Sequence, residues 1–297
     1  MAELATTRVN LSTGVTLKVA LGGPETGEAI ILLHGFPESH RTWRHVAPDL
    51  ARDRRVIVPD QRGFGGSDKP KGVENYGVEE TVADIFALAD AFGVERFTLV
   101  GHDWGGAISW TAALRQPERL SRLVIVNAPH PLVFHRSVID DPAQRQASQY
   151  IRAFRSRMME KGIDAMGLET FFEKSFGGHV DLSLVPPEER RAYLEDWRQE
   201  GALTAMLNWY RASNLEVPAM DEHSVGPIWT RAPFPKVTVP TLVVWGMRDK
   251  ALLPIQLDGL EDLVDDLTIV RVEEAAHFVP WERPEPVTGA IRAFLDR

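Results

Sequence analysis

One short segment has the residue types and the spacing of a catalytic turn. Residues 101–106, GHDWGG, follow the apolar run 97–100 and precede a run with helical spacing over 107–114. Glycines that flank a central reactive residue between a strand and a helix are typical of a nucleophile elbow, a sharp and strained bend that lifts one side chain above the sheet. The central residue is Asp103, so the segment predicts a carboxylate nucleophile.

Two residues farther along the chain complete a candidate triad. Asp249 follows the apolar run 241–246, and His277 follows the run 267–272. The chain order nucleophile, acid, histidine is that of catalytic triads on an α/β sheet. We therefore expect His277 to be the base and Asp249 to orient it. Asn127 ends an earlier run at a position where an acid could otherwise stand, which favours Asp249.

An oxyanion hole is expected beside the elbow. Residues 34–38, HGFPE, end the apolar run 29–33, at the place where such a sheet supplies one of the donors. The backbone N–H groups of Phe36 and Trp104 are the candidate donors. Proline is the residue that makes a cis peptide cheap, so Phe36–Pro37 is a candidate cis bond.

A carboxylate nucleophile restricts the reaction. Attack on an ester carbonyl would form an anhydride, whereas attack on a saturated carbon bearing a leaving group forms an ordinary ester. Aspartate, with a reference pKa of about 3.9, is already ionised at neutral pH and needs no base. His277 is then free to activate the water that hydrolyses the ester. The leaving group is a halide or the alkoxide of an opening epoxide, and the alkoxide is helped by an acid with a pKa of roughly 10, such as tyrosine.

The elements that position these residues read as a parallel sheet with helices on both faces. Short apolar runs recur at 29–33, 55–60, 97–101, 123–127, 241–246 and 267–272, separated by helical stretches. Between about Pro131 and Pro235 the chain has helical spacing without strand-like runs. We expect an α/β core domain formed by residues 1–130 and 236–297 and a helical cap domain formed by residues 131–235.

Composition excludes several classes of site. The 297 residues include 44% hydrophobic and 25% charged residues and carry a net charge of −9, which is unlike a nucleic-acid or anionic-membrane binder. There is no cysteine, which excludes disulfides and thiolate chemistry. No apolar run reaches the roughly 20 residues of a membrane helix, and the N-terminus has no signal-peptide pattern. We expect a cytoplasmic protein, a monomer or homodimer, with no metal or organic cofactor.

Taken together, these motifs resemble the soluble epoxide hydrolases of the α/β-hydrolase fold family. The resemblance runs from about Ala29 to Pro284 and includes the position of the cap. Tyr150 and Tyr210 match the positions of the two ring-opening tyrosines of that family, the latter within the string Asn-Trp-Tyr-Arg at 208–211. The resemblance implies conversion of a small apolar epoxide and water into a vicinal diol, with both tyrosines as acids.

The cap also supplies candidate apolar residues that would line or back a pocket, with packing in the core as the default for each: Met158, Met159, Met206, Trp197 and Trp209.

Three alternatives stay open. Haloalkane dehalogenases usually add a second halide donor to the tryptophan after the nucleophile; Trp104 fits that role, but Phe36 has no side-chain donor. Haloacid-type enzymes carry arginines just after the nucleophile, where this chain has Trp104 and Ala107. A non-catalytic ligand-binding homologue would keep the pocket without turnover, and an intact set of nucleophile, base, acid and tyrosines argues against it.

Overall fold

The computed structural model describes residues 4–297, and over that range eight strands form one sheet in the order β1-β2-β4-β3-β5-β6-β7-β8. The first two strands run antiparallel to their neighbours, and the remaining six are parallel. Residues 1–3 of the predicted core domain lie outside the described range. The strands are β1 Ala5–Asn10, β2 Thr16–Gly22, β3 Ala29–Leu33, β4 Arg55–Pro59, β5 Phe97–His102, β6 Leu120–Val126, β7 Thr241–Gly246 and β8 Leu267–Val272.

Helices connect the strands. The α-helices are α1 Ala47–Leu50, α2 Val78–Ala91, α3 Trp104–Arg115, α4 Pro131–Asp140, α5 Pro142–Ala147, α6 Gln149–Arg155, α7 Met159–Met166, α8 Leu168–Phe176, α9 Pro187–Arg198, α10 Ala202–Ala212, α11 Val279–Glu282 and α12 Pro284–Leu295. Short 3-10 turns lie at His40–Trp43, Val73–Tyr76, Pro117–Arg119, Leu182–Leu184, Ile228–Arg231, Pro254–Leu257 and Leu260–Asp262. No helix in the described range is both long and apolar enough to cross a membrane.

Side-chain alternation along the parallel strands builds a core on each face of the sheet. In β3, Ile31 and Leu33 pack in the cluster that contains α2 and α3. Ile30 and Leu32 point the other way, into the cluster that contains α1 and α12. Both faces are covered, which explains why the parallel strands are continuous apolar runs. The predicted mostly parallel sheet with helices on both faces is confirmed.

Helices α4 to α10 form a helical segment inserted between β6 and β7, as predicted. It is tied to the loops that follow β3 and β4, because the Trp197 indole donates to the Pro37 carbonyl at 2.9 Å and the Trp209 indole donates to the Arg62 carbonyl at 3.1 Å. The division into two domains at residues 130 and 235 stays a prediction.

Strands β1 and β2 were not among the predicted strands. The side chains of β1 are largely exposed, so it lacks the apolar run used to find the other strands. In β2, buried Leu17 and Val19 alternate with half-exposed Lys18, and this period of two residues was the available signal.

Candidate active site

The nucleophile elbow forms between β5 and α3. Asp103 has φ 50° and ψ −121°, a conformation that non-glycine residues rarely adopt. A β-carbon on Gly105 would come within 2.5 Å of the Leu33 carbonyl oxygen, so the neighbouring strand end excludes any larger residue there. The bend is thus held by close packing, and it directs Asp103 away from the sheet.

The Asp103 carboxylate is held by two different partners. Its Oδ1 accepts a hydrogen bond from the Phe36 amide at 2.7 Å, and its Oδ2 lies 3.5 Å from Nε2 of His277. Gly35 packs against the same carboxylate, leaving no room for a β-carbon. Trp104 is the first residue of α3, so its N–H has no partner within the helix and is available at the same edge. The Phe36–Pro37 peptide is cis.

His277 and Asp249 form a buried hydrogen-bonded pair. Nδ1 of His277 lies 2.7 Å from Oδ2 of Asp249. The other oxygen of Asp249 accepts from the amides of Ala251 and Leu252 at 2.8 and 2.9 Å. Asp249 is therefore held by backbone amides of its own loop through Oδ1, and its Oδ2 faces the His277 imidazole.

The charges of neighbouring groups shift the pKa of both Asp103 and His277. Burial alone would raise the pKa of Asp103, but the hydrogen bond and charge of His277 hold it below its ordinary value. Burial alone would lower the pKa of His277, but the carboxylates of Asp249 and Asp103 raise it well above its ordinary value. The favoured resting state therefore has a His277 imidazolium between the carboxylates of Asp103 and Asp249.

Tyr150 on α6 and Tyr210 on α10 face this site from the helical segment. Their ring centroids are 6.2 Å apart, and the Tyr210 ring packs edge-on against Trp104 at 5.1 Å and Phe36 at 5.0 Å. Burial, followed by the charge of Asp103, raises the pKa of Tyr150 well above its ordinary value. Burial, the Tyr150 hydroxyl and Asp103 do the same to the pKa of Tyr210. Both phenols thus keep their protons at neutral pH.

A cavity of about 600 Å³ joins Asp103 and the two tyrosines. One face of α3 lines this cavity with Trp104, Ala107, Ile108, Thr111 and Arg115. Mostly apolar walls with a few convergent polar groups are typical of small-molecule sites.

Only part of the predicted apolar wall lies there. Trp209 lines the cavity. Trp197 instead packs among Phe171, Phe172 and Phe176. The expectation for Met158 is wrong, because it precedes α7 at the outer surface and is 61% exposed.

Asn127 is a site residue whose contribution the sequence analysis missed. It has φ 39°, its Nδ2 donates to Oδ2 of Asp249 at 2.8 Å, and its Oδ1 accepts from the Gly246 amide at 2.7 Å. The sequence pattern marks it only as a position where an acid could otherwise stand. Asparagine at the end of a buried strand was the available signal, since its amide can both donate and accept.

A second buried pair lies behind the triad. His102 faces Oε2 of Glu38 at 2.9 Å through Nδ1, and the His277 carbonyl at 2.8 Å through Nε2. Both ring nitrogens of His102 have hydrogen-bond partners. His102 therefore holds the backbone of His277 in place, and Glu38 fixes the orientation of the His102 ring.

Comparison with known proteins agrees with this geometry. A family model described as the alpha/beta hydrolase fold matches residues 28–284. The chain belongs to the α/β-hydrolase family. A member of that superfamily from Bacillus subtilis, YfhM, is 36% identical over 288 residues, 95% of each chain.

Several members of the family similar to this chain are epoxide hydrolases. Epoxide hydrolase 3 of Xenopus tropicalis is 32% identical over 95% of this chain and 75% of its own length. A solved epoxide hydrolase from metagenomes of hot environments is 44% identical, with a TM-score of 0.90 and 99% of each chain covered. The Bacillus megaterium epoxide hydrolase, solved with an inhibitor, is 29% identical, with a TM-score of 0.82 over 98% of this chain and 100% of that one.

The predicted α/β-hydrolase fold and the resemblance to epoxide hydrolases are confirmed. The structure brings the predicted site residues together at one edge of the sheet: Asp103, His277, Asp249, Tyr150, Tyr210, Phe36 and Trp104. Their catalytic roles stay predictions.

Proposed function

We propose that this protein is an epoxide hydrolase that converts an epoxide to a vicinal diol through a covalent ester on Asp103. The observation that carries the proposal is geometric: Asp103 at the elbow shares one cavity with Tyr150 and Tyr210. The likeness to epoxide hydrolases over nearly the whole chain supports it.

Ring opening uses the two oxygens of Asp103 differently. Oδ1 is held by the Phe36 amide, so Oδ2 attacks an epoxide carbon from the side opposite the ring C–O bond that breaks. The new C–O bond forms as the ring C–O bond breaks, and the released oxygen takes a proton from Tyr150 or Tyr210. A general acid at this point prevents the build-up of a strongly basic alkoxide.

Formation of the ester prepares His277 for the second step. Esterified Asp103 has no negative charge, so one of the two carboxylates that raise the pKa of His277 is lost. His277 then gives its proton to the tyrosinate that ring opening left. Neutral His277 next takes a proton from water, whose oxygen attacks the ester carbon. Asp249 stabilises the resulting imidazolium.

Breakdown of the tetrahedral intermediate releases the diol. The developing oxyanion is on Oδ1, where the amides of Phe36 and Trp104 donate to it. The bond between the Asp103 carboxyl carbon and the substrate oxygen breaks, and the leaving alkoxide takes the second proton of the attacking water from the new carboxyl group. Asp103 is then again a carboxylate beside the His277 imidazolium. Asp103 keeps the oxygen that came from water.

The substrates of this reaction are a small apolar epoxide and water. Action in the cytoplasm as a monomer or homodimer, without nucleic acid or membrane as a partner, is part of the proposal. The division into a core domain and a cap of residues 131–235 is likewise proposed, with the cap supplying the acids and the core supplying the triad.

Single turnover in ¹⁸O-labelled water tests the covalent mechanism. Because Asp103 supplies the oxygen in the first turnover, the first diol is expected to contain unlabelled oxygen and the protein is expected to gain the label. Mass spectrometry of the diol and of the peptide containing Asp103 measures both. Label in the first diol would contradict the ester; absence of turnover with a panel of epoxides would contradict the function.

A further inference from the structure

The side chain of Gln144, on α5, is a fully buried amide with every hydrogen-bonding position occupied. Its Nε2 donates to the Ser148 hydroxyl at 2.9 Å and to the Ala251 carbonyl at 2.8 Å. Its Oε1 accepts from the Leu253 amide at 2.9 Å and from Nε2 of Gln256 at 3.0 Å. A primary amide offers two donors and two acceptor sites, so this one is fully satisfied.

These contacts cross from the helical segment to the loop that carries the triad acid. Ala251 and Leu253 belong to residues 249–256, which we call the acid loop. The same loop provides the Ala251 and Leu252 amides that hold Oδ1 of Asp249. The hydrogen bonds of Gln144 to the Ala251 carbonyl and the Leu253 amide therefore flank the Leu252 amide and hold the same residue, Ala251, that supplies the other donor to Asp249.

Gln256 strengthens the same cross-link. It is fully buried, and its Nε2 donates to the Ser137 hydroxyl on α4 at 2.7 Å as well as to Gln144. Two buried amides thus join α4 and α5 to the acid loop. Gln144 is fully paired, whereas Oε1 of Gln256 has no hydrogen-bond partner among the described residues. The paired members of such a buried network hold one arrangement, because breaking one of them leaves others without partners.

We propose that Gln144 is a positioning residue for Asp249, clamping the acid loop to α5 so that the carboxylate keeps its place behind His277. The inference rests on the proposed function and assigns Gln144 to one half-reaction. Hydrolysis of the ester needs the His277–Asp249 pair, whereas attack by Asp103 on the epoxide does not need His277 as a base.

The test separates the two half-reactions in the Gln144→Met variant. Methionine keeps approximately the shape of glutamine but none of its hydrogen bonds. Rapid-quench mixing followed by intact-protein mass spectrometry measures the ester on Asp103. We expect ester hydrolysis to slow about 10-fold to 100-fold while ring opening stays within about 3-fold. In the steady state the kcat and the KM both fall, because the ester accumulates.

Gln149→Met is the matched control. The Gln149 amide donates to the carbonyl of Arg145 on α5 at 3.0 Å and to that of Pro218, between α10 and β7, at 2.9 Å. Neither carbonyl belongs to the acid loop. We expect this variant to leave the rate of ester hydrolysis unchanged. The His277→Gln variant gives the amplitude of full ester accumulation.

Different results overturn different claims. Equal slowing of both half-reactions in Gln144→Met, or ester hydrolysis within about 2-fold of wild type, overturns the positioning role alone. A wild-type protein that forms no ester overturns the proposed function and the inference with it. If Gln144→Met does not fold, Gln256→Met, which loosens the same clamp, is expected to slow hydrolysis selectively by a smaller factor; an unchanged ratio of the two rates then overturns the proposal.

Discussion

At the scale of single residues, the surroundings of Tyr150 and Tyr210 disfavour the loss of their phenolic protons and raise the pKa of both. Tyr210 is 3% exposed and packs against Phe36 and Trp104. The nearby Asp103 carboxylate further disfavours a tyrosinate at Tyr150 or Tyr210. A phenol held neutral beside a carboxylate suits the donation of a proton to an alkoxide, which a departing halide does not require.

Replacing each tyrosine with phenylalanine tests this assignment. We expect Tyr150→Phe and Tyr210→Phe each to slow ring opening roughly 100-fold, and the double variant to slow it roughly 10,000-fold, because the alkoxide then leaves without an acid. Ester formation measured by rapid quench reports the rate.

Tyr193→Phe is the control for the loss of a buried hydroxyl, since Tyr193 lies on α9 and is fully buried. It is expected to keep the wild-type rate. Epoxide opening that survives in the double variant, together with halide release from a chloroalkane by the wild type, would favour the dehalogenase alternative.

At the scale of elements, a buried ion pair joins the turn after β4 to α2. The Arg62 guanidinium donates to both oxygens of Asp84 at 2.5 and 2.6 Å, and to the Asn75 carbonyl at 2.7 Å. The two side chains are only 4% and 9% exposed. Arg62 also accepts the Trp209 indole N–H through its carbonyl, so the pair supports the place where α10 meets the core.

Removal of the carboxylate charge in Asp84→Asn is expected to lower the free energy of unfolding by about 3–5 kcal/mol. The Arg62 guanidinium would stay buried without a counter-ion. Urea unfolding followed by circular dichroism measures the change.

Glu79→Gln on the same helix is the matched comparison. Its partner is Arg115, and that ion pair is exposed, with side-chain exposures of 68% and 39%. Its loss is expected to cost less than about 1 kcal/mol. An equal decrease in the free energy of unfolding in the two variants would contradict the claim that burial makes the Arg62–Asp84 pair more stabilising than the exposed pair.

At the scale of the whole molecule, helix α9 lies against the core through polar contacts as well as through Trp197. Glu189 pairs with Arg41 at 3.0 Å, and Lys69 of the core donates to Gln199 just beyond α9 at 3.0 Å. Asp196 of α9 faces the core less favourably: burial and then the charge of Asp60 raise its pKa to about 6.

The raised pKa predicts the pH dependence of an Asp196→Asn variant. Between about pH 4 and pH 6 the folded protein keeps a proton on Asp196 that the unfolded chain releases, so this residue lowers stability as the pH rises through that window. We expect the variant to exceed the wild type by roughly 1–3 kcal/mol in the free energy of unfolding at pH 7.5, and to equal it near pH 4.

Urea unfolding at both pH values measures the difference. Glu195→Gln, an exposed change on the same helix, should give no gain at either pH. A gain from Asp196→Asn that is the same at both pH values would mean that the titration of Asp196 is not its cause.

The sequence by itself determined much of the fold and the family of this protein. Six strands, from β3 to β8, are predicted from runs rich in apolar residues. Most side chains of β3 to β7 are buried, whereas the edge strand β8 is mostly half-buried; β1, largely exposed, has no such run. The elbow around Asp103 was equally visible, because its glycines are required by contacts within a few residues and with the adjacent strand end. Signals of this kind depend on local spacing, which a sequence displays directly.

Only the tertiary structure decided how the site is supported. Asn127 meets Asp249 across 122 positions of sequence, and Gln144 meets Ala251 across 107. The strand-end position of Asn127 is a signal for a site residue, but neither amide identifies its distant partner in the sequence, since amides bond equally well to water, loops or helix ends. When the helical segment packs on the sheet, some polar groups are buried away from water and pair with one another. That packing determines which groups these are.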